Sequence, residues 1–490
     1  MYQKESGWKT ADSALRSEIF NFSEGYKDFL NTAKTERLAC SEAVRLAEAN
    51  GFCNLEDKES LSAGDKVYFV NRCKNVFLAV IGKEDVERGI HFVIAHVDCP
   101  RIDLKQNPLY CDSGLALFKT HYYGGIKKYQ WTAIPLALHG VVLTKDGRRV
   151  TVSIGEKPEE PILYISDLLP HLAGEQMQKK ASEVISGEAL NIIVGSLPAD
   201  NAEKDAEKEA VLALLSEQYG ICEEDFLSAE LEAVPAFPAR DLGLDRAMVA
   251  AYGHDDRVCG YTALQAVLQT ENPQKTAVCV LTDKEEIGSM GNTGMKSAFF
   301  EYAVALLLEN TTGTYNELML KRTFRNSQCL SADVSAGVDP TYTEAHEKLN
   351  APYIGRGIVV TKYTGARGKS GTSDAGAELL YDIRTCFDDN NVFWQSGELG
   401  KVDGGGGGTI AQYVANLDVD VVDCGVPLLS MHAPLEAASK LDIYMAYKAY
   451  HAFSESVFCL HHCTEKTSGK HCATATFAAL PAIRFSSTSA

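Results

Sequence analysis

No stretch of the 490 residues supplies the ~20 consecutive apolar side chains that a membrane-crossing helix needs. The opening MYQKESGWKTADSALRSEIF is polar and lacks the apolar core of a secretory leader, so a cytoplasmic protein without a membrane partner is expected. Positive charge is short: 47 Lys and Arg stand against 66 Asp and Glu, a formal net charge of −19. That field repels phosphate backbones and argues against nucleic acid as a general partner. A dense cysteine framework is also missing. The 14 cysteines are spread along the chain, and many, such as Cys259 and Cys279, lie in apolar segments where a reduced thiol packs as a small hydrophobe. No repeat with a period of roughly 20 to 50 residues is visible, which disfavours solenoids and propellers. What is present is an ordinary globular composition, 45% hydrophobic and 23% charged, on a chain long enough for two or three domains.

Helical spacing of Leu15, Ile19 and Phe22, then of Leu38, Ala43 and Leu46, predicts two amphipathic helices ending at Gly51. The short β-rich runs VYFV, VFLAVI and HFVIA follow. The run Phe92 to Ala95 is apolar throughout, as a strand buried on both faces would be, and it ends at His96 and Asp98. Between about Asn107 and Leu244 the texture changes to GVVLTK, VTVSIG and LNIIVGSL with Gly-rich turns and a charged run from Asn201 to Ala210. This reads as an insertion, the charged run being a solvated helix or loop. After Asp255 a βα rhythm resumes: a helix over Val258 to Thr270, the strand TAVCVLT, a helix over Ser297 to Leu308, then GIVVTK and VDVVDCGVPLLS. The expected class is α/β, with a mixed sheet covered by helices on both faces and a β-rich insertion. The divisions are 1–106, 107–244 and 245–490, the last ending in a loose tail.

Five places set His, Asp or Glu at or just beyond the end of an apolar run: His96-Val97-Asp98, His254-Asp255-Asp256-Arg257, Asp283 to Glu286, Ser331-Ala332-Asp333 and Ser430-Met431-His432. If the runs are neighbouring strands, these tips converge on one sheet edge, where open α/β sheets place their chemistry. Any one of them is more often a packed histidine or a solvent-facing acid. Together they would bury several charges, and a metal ion compensates that cost. Imidazole with carboxylate suits Zn²⁺, and two ions ~3.5–4 Å apart would activate water and polarise a carbonyl. Asp98 can orient His96 by bonding its outer nitrogen. In an extended segment Glu285 and Glu286 point apart, leaving one for metal and one for protons.

The segments IAHVDCPRIDLK, YYGGIKKYQW, DKEEIGS, LSADVSAGVDPTY and GVPLLSMH, in that order, resemble the motifs of the aspartyl aminopeptidase family of binuclear zinc metallopeptidases. The resemblance spans nearly the whole chain. It implies a zinc peptidase catalytic domain, an inserted dimerisation domain and two zinc ions per subunit. Asp255 would bridge the ions, His96 and Asp333 would complete one set, and Glu286 and His432 the other. Glu285 would be the general base, with Asp98 beside it in the catalytic set. The resemblance further implies release of N-terminal residues from peptides, with a preference for acidic ones, by dimers assembled into a tetrahedral dodecamer. His171, in Leu169-Pro170-His171-Leu172, would enter a partner's site as a hydrogen-bond donor; a zinc ligand and a packed histidine are the alternatives.

The chain departs from the family's acid-selective pattern. Ala336 and Asp339 stand where two further histidines are common, and the segment after Val360-Thr361-Lys362 reads TGARGKSGTSDAG. Lys362 or Arg367 could pair with an acidic substrate, and Met431 could line the first pocket. Gly404 to Gly408 has no following Lys-Ser/Thr, so it reads as a βα turn and not a phosphate loop. The tail Cys459-Leu460-His461-His462-Cys463 with His471 and Cys472 matches no standard zinc finger. Rival functions are a broad-specificity neutral aminopeptidase and a noncatalytic assembly or cargo protein.

Overall fold

Along the strand Ile90–His96, Phe92 and Ile94 enter one apolar cluster while Val93 and Ala95 enter another, because successive side chains of a strand leave opposite faces. Burial on both faces places this strand at the centre of a sheet. A computed structural model, describing residues 5–200 and 202–458, shows that sheet to have nine strands. Their order is Cys53–Asn54, Lys66–Asn71, Asn75–Val80, Thr276–Thr282, Ile90–His96, Gln328–Ser331, Asp420–Gly425, Ile358–Thr361 and Trp394–Ser396. Thr276–Thr282, Ile90–His96, Gln328–Ser331 and Asp420–Gly425 run parallel, so their C-terminal ends share one edge.

Helices cover both faces. Ser13–Thr32 and Glu36–Ala49 are the two helices expected near the start; Asp12 and Thr35 cap them by accepting from Leu15 N and Leu38 N. They share one cluster with His254–Gln269 and Lys440–Glu455, around Tyr26, Leu264 and Phe453. Phe299–Thr312 and Glu317–Arg325 cover the other face, with Phe300 against Phe92.

A second sheet of seven strands lies between Arg101 and Pro235 in sequence. Its order is Ala229–Pro235, Arg101–Asp112, Leu115–Tyr123, Ile192–Gly195, Leu163–Tyr164, Pro135–Leu143 and Arg149–Ile154. Ala229–Pro235 also pairs with Pro135–Leu143, which closes the strands between them into a ring. Trp131, Phe118 and Leu138 fill its core. The strand Arg101–Asp112 crosses the expected division at 106, because one continuous strand leads from the sheet edge that carries His96 and Asp98 into this sheet. Of the charged run expected from Asn201 to Ala210, residues 206–210 open the helix Ala206–Tyr219, and Asn201 lies outside the described residues.

A third, five-stranded sheet was not expected. Its order is Arg240–Leu242, Met248–Ala251, Glu436–Ser439, Pro427–Leu429 and Ser335–Ala336. The single run VDVVDCGVPLLS is thereby divided between two sheets, Asp420–Gly425 in the first and Pro427–Leu429 in the third. The Cys/His tail from Cys459 onward lies outside the described residues.

Candidate metal centre

His96 closes its strand with the imidazole 1% exposed. Its Nδ1 lies 3.0 Å from the Asp98 carbonyl oxygen and 3.3 Å from Asp98 Oδ1, which turns Nε2 toward Asp255 Oδ1 at 3.3 Å and Asp333 Oδ1 at 4.0 Å. Asp255, near the start of the helix His254–Gln269, presents its other oxygen, Oδ2, to His432 Nε2 at 3.1 Å. Glu286 Oε2 lies 3.4 Å from the same nitrogen. One carboxylate thus stands between two imidazoles. His96, Asp255 and Asp333 form one group whose potential ligand atoms lie within 4.8 Å of one another, and Asp255, Glu286 and His432 form a second.

Backbone bonds hold these side chains in place. Asp98 Oδ1 accepts from Glu285 N at 3.1 Å and Oδ2 from Glu286 N at 3.2 Å, so the carboxylate expected to orient His96 also fixes the turn bearing both glutamates. The Tyr123 hydroxyl donates to Asp98 Oδ2 at 2.8 Å. His432 Nδ1 meets the Gly125 carbonyl oxygen at 2.8 Å, which gives the Tyr-Gly-Gly element its place in the site. A Cβ at Gly125 would sit 3.3 Å from that nitrogen. Glu436 accepts from His432 N at 2.7 Å and from Asp255 N at 3.0 Å, one bond to each oxygen. Sequence reading passed over Glu436; its only signal was an acid four residues beyond a candidate ligand.

The electrostatics call for a cation. Burial pushes the Glu286 and Asp333 carboxyls well up, and neighbouring acids, Asp255 for Glu286 and Asp256 for Asp333, add to the rise. Burial likewise pushes Glu285 up to about 7, with His96 pulling against it and Asp98 and Asp255 reinforcing it. Burial works against a charge on His96, but its bonds to Asp255 and Asp98 hold its pKa well up. Burial alone would raise Asp255, yet the two imidazoles hold it down. Glu286 Oε1 is buried with no hydrogen-bond partner. Clustered acids, an orphaned carboxylate oxygen and two oriented imidazoles match the donor set of zinc.

The family model described as Aminopeptidase I zinc metalloprotease (M18) matches residues 29–454. The Clostridium acetobutylicum protein named Probable M18 family aminopeptidase 1 is 50% identical over 454 residues, covering 92% of this chain and 97% of that protein. The crystal structure of the M18 family aminopeptidase from Thermotoga maritima has a TM-score of 0.90 and 45% identity, covering 93% of this chain and 100% of that one. The chain belongs to the M18 family. It is accordingly a metallopeptidase, and the M18 architecture of a mixed α/β molecule is the one described above. A more distant M18-like fold, the S. cerevisiae mApe1 dodecamer, is 20% identical with a TM-score of 0.71, covering 88% of this chain and 96% of that one.

Other M18 positions named from the sequence fall in four places. Glu285 and Met431 line the same cavity of about 580 Å³ as Asp255, Asp333 and His432. Lys362 does not. Residue alternation turns Thr361 into that cavity and Lys362 into a separate one beside Trp394 and Arg384. Arg367 lines a further pocket with Lys369 and Asp403. His171 is exposed on a turn between the strands Leu163–Tyr164 and Ile192–Gly195, outside both ligand groups. Among the described residues, no helix is long and apolar enough to cross a membrane.

Proposed function

We propose that this M18 aminopeptidase removes N-terminal residues from peptides with two zinc ions per subunit, sharing Asp255 as the common ligand. The observation that carries this reading is that the two Asp255 oxygens face different imidazoles, at 3.3 Å and 3.1 Å. His96 and Asp333 complete one set, and Glu286 and His432 the other. When bound, zinc supplies Lewis acidity that polarises the peptide carbonyl and acidifies water.

The remaining work falls to the chain's own groups. Glu285 takes a proton from the attacking water and returns it to the departing amine. Asp98 holds the Glu285 and Glu286 backbone while keeping His96 in one tautomer. The dimer and tetrahedral dodecamer are extended to this chain from its resemblance to the family and from the dodecamer of the yeast relative. In that assembly, the layer between Arg101 and Pro235 pairs subunits, and His171 donates to the developing oxyanion in a neighbour's site. A cytoplasmic location accords with this role.

The test is Glu285→Gln. Turnover of an aminoacyl-amide substrate is expected to fall by about 10²–10⁴-fold, while metal analysis still finds two zincs per chain. Retained turnover would remove Glu285 from the role of base, and one zinc or none in the wild-type protein would remove the paired-ion reading.

A further inference from the structure

The buried carboxylate of Asp98 meets four groups. Oδ1 lies 3.3 Å from His96 Nδ1 and accepts from Glu285 N at 3.1 Å; Oδ2 accepts from Glu286 N at 3.2 Å and from the Tyr123 hydroxyl at 2.8 Å. The hydroxyl makes the shortest of the four contacts, and it alone comes from the seven-stranded sheet, where Tyr123 ends the strand Leu115–Tyr123. Two residues further on, the Gly125 carbonyl oxygen meets His432. The end of this one strand therefore touches both halves of the centre.

Register holds the tyrosine there. In the hairpin of Arg101–Asp112 and Leu115–Tyr123, Arg101 stands directly opposite Tyr123, and its guanidinium lies 3.9 Å from the centre of the phenol ring. Arg101 is itself buried and held by three acids. Its Nε donates to Asp103 Oδ1 at 2.8 Å, and its terminal nitrogens lie 3.3 Å from Glu232 Oε1 and 3.6 Å from Glu36 Oε2. Glu232 belongs to the seven-stranded sheet and Glu36 opens the helix Glu36–Ala49, so Arg101 is tied to elements on both sides of the junction. A buried carboxylate that loses its shortest bond gains room to turn, and the displacement passes to the Glu285 and Glu286 backbone that rests on it. A shift of ~1 Å in a reacting group costs about 10²-fold in rate. We propose that Tyr123 is a positioning residue for hydrolysis, holding the Asp98 carboxylate and through it Glu285, with Arg101 fixing its ring. The inference rests on the proposed role of Glu285 and extends the control of that group into the inserted sheet.

Tyr123→Phe keeps the ring beside Arg101 and removes only the hydroxyl. On the zinc-loaded full-length protein, assayed with the best-cleaved aminoacyl-coumarin amide, kcat should fall by about 10–100-fold, with KM and zinc content as in the wild type. Tyr122→Phe, on the opposite face of the same strand, should leave kcat unaltered. An unaltered kcat in Tyr123→Phe, a fall explained by lost zinc, or an equal fall in Tyr122→Phe would overturn the assignment. Asp98→Ala supplies a background in which the hydroxyl has no carboxylate to hold. There Tyr123→Phe should change kcat by less than about twofold; a full additional loss would show that Tyr123 acts by another route and would refute the proposal. The single variant decides the matter even if Asp98→Ala is too slow to assay or fails to fold. Retained turnover in Glu285→Gln would remove the proposed base whatever Tyr123→Phe does, whereas wild-type kcat in Tyr123→Phe would remove this inference alone.

Discussion

Glu436 spends both carboxylate oxygens on backbone N–H groups, and those groups belong to Asp255 and His432, the ligands proposed on two different segments. Glu436→Gln replaces one acceptor by a donor and sets two buried donors against each other, which costs more than a lost bond. Zinc affinity is expected to fall by about 10–100-fold, read by competition with a chromophoric chelator. Unchanged affinity would show that the two segments hold their places without this tie. His91 gives a pH prediction away from the centre. Burial pushes its pKa down to about 3, the positive charge of Lys275 adds to the fall, and a bond to Gln328 opposes it. In the unfolded chain a histidine titrates near ~6.5. Between those values the unfolded state takes up a proton that the folded state refuses. The stability from neutral His91 is therefore fully present above pH ~6.5 and lost as pH falls toward 3. His91→Gln removes the titration, so its thermal midpoint should decline less between neutral pH and pH ~4 than that of the wild type. Equal declines would place the acid sensitivity elsewhere.

Between residue and molecule, the elements explain why some of the site could be read and some could not. Uninterrupted apolar runs such as Phe92 to Ala95 identify strands buried on both faces, and a polar residue closing such a run marks the sheet edge; His96 and Asp333 were legible in that way. Which of Thr361 and Lys362 faces the cavity was not legible, since a shift of one residue in a short strand exchanges its faces. The third sheet escaped because Ser335–Ala336 and Pro427–Leu429 are too short to show a period. The division of VDVVDCGVPLLS has a steric correlate at Gly425. A Cβ there would lie 1.7 Å from the Asp333 carbonyl oxygen, so the segment bearing this proposed ligand approaches the strand only because Gly425 has no side chain. Gly425→Ala should push Asp333 away, lower zinc content toward one ion per chain and reduce turnover by more than about tenfold. Two tightly held zincs in that variant would show that the backbone absorbs the methyl group elsewhere.

At the scale of the whole molecule the open question is whether one chain completes its own site. His171 is exposed, and so are its neighbours Leu168, Leu169 and Leu172, at 54%, 49% and 69%. A run of exposed leucines around a histidine suits a segment that a second subunit covers. If His171 serves its neighbour, His171→Ala should lose activity while retaining zinc, and so should Glu285→Gln. Co-expression of the two inactive chains separates service in trans from service within one chain. In a mixed dimer, the site of the His171→Ala subunit keeps Glu285 and receives His171 from its partner, whereas the other site lacks its base. Random pairing in a two-fold interface makes about half the dimers mixed, each with one complete site, so activity should recover to roughly a quarter of wild type. If His171 acts only within its own chain, every site in the mixture lacks one of the two groups and no activity returns. Separately purified proteins that do not exchange subunits should stay inactive on mixing, which makes recovery depend on shared assemblies and not on the mixture itself.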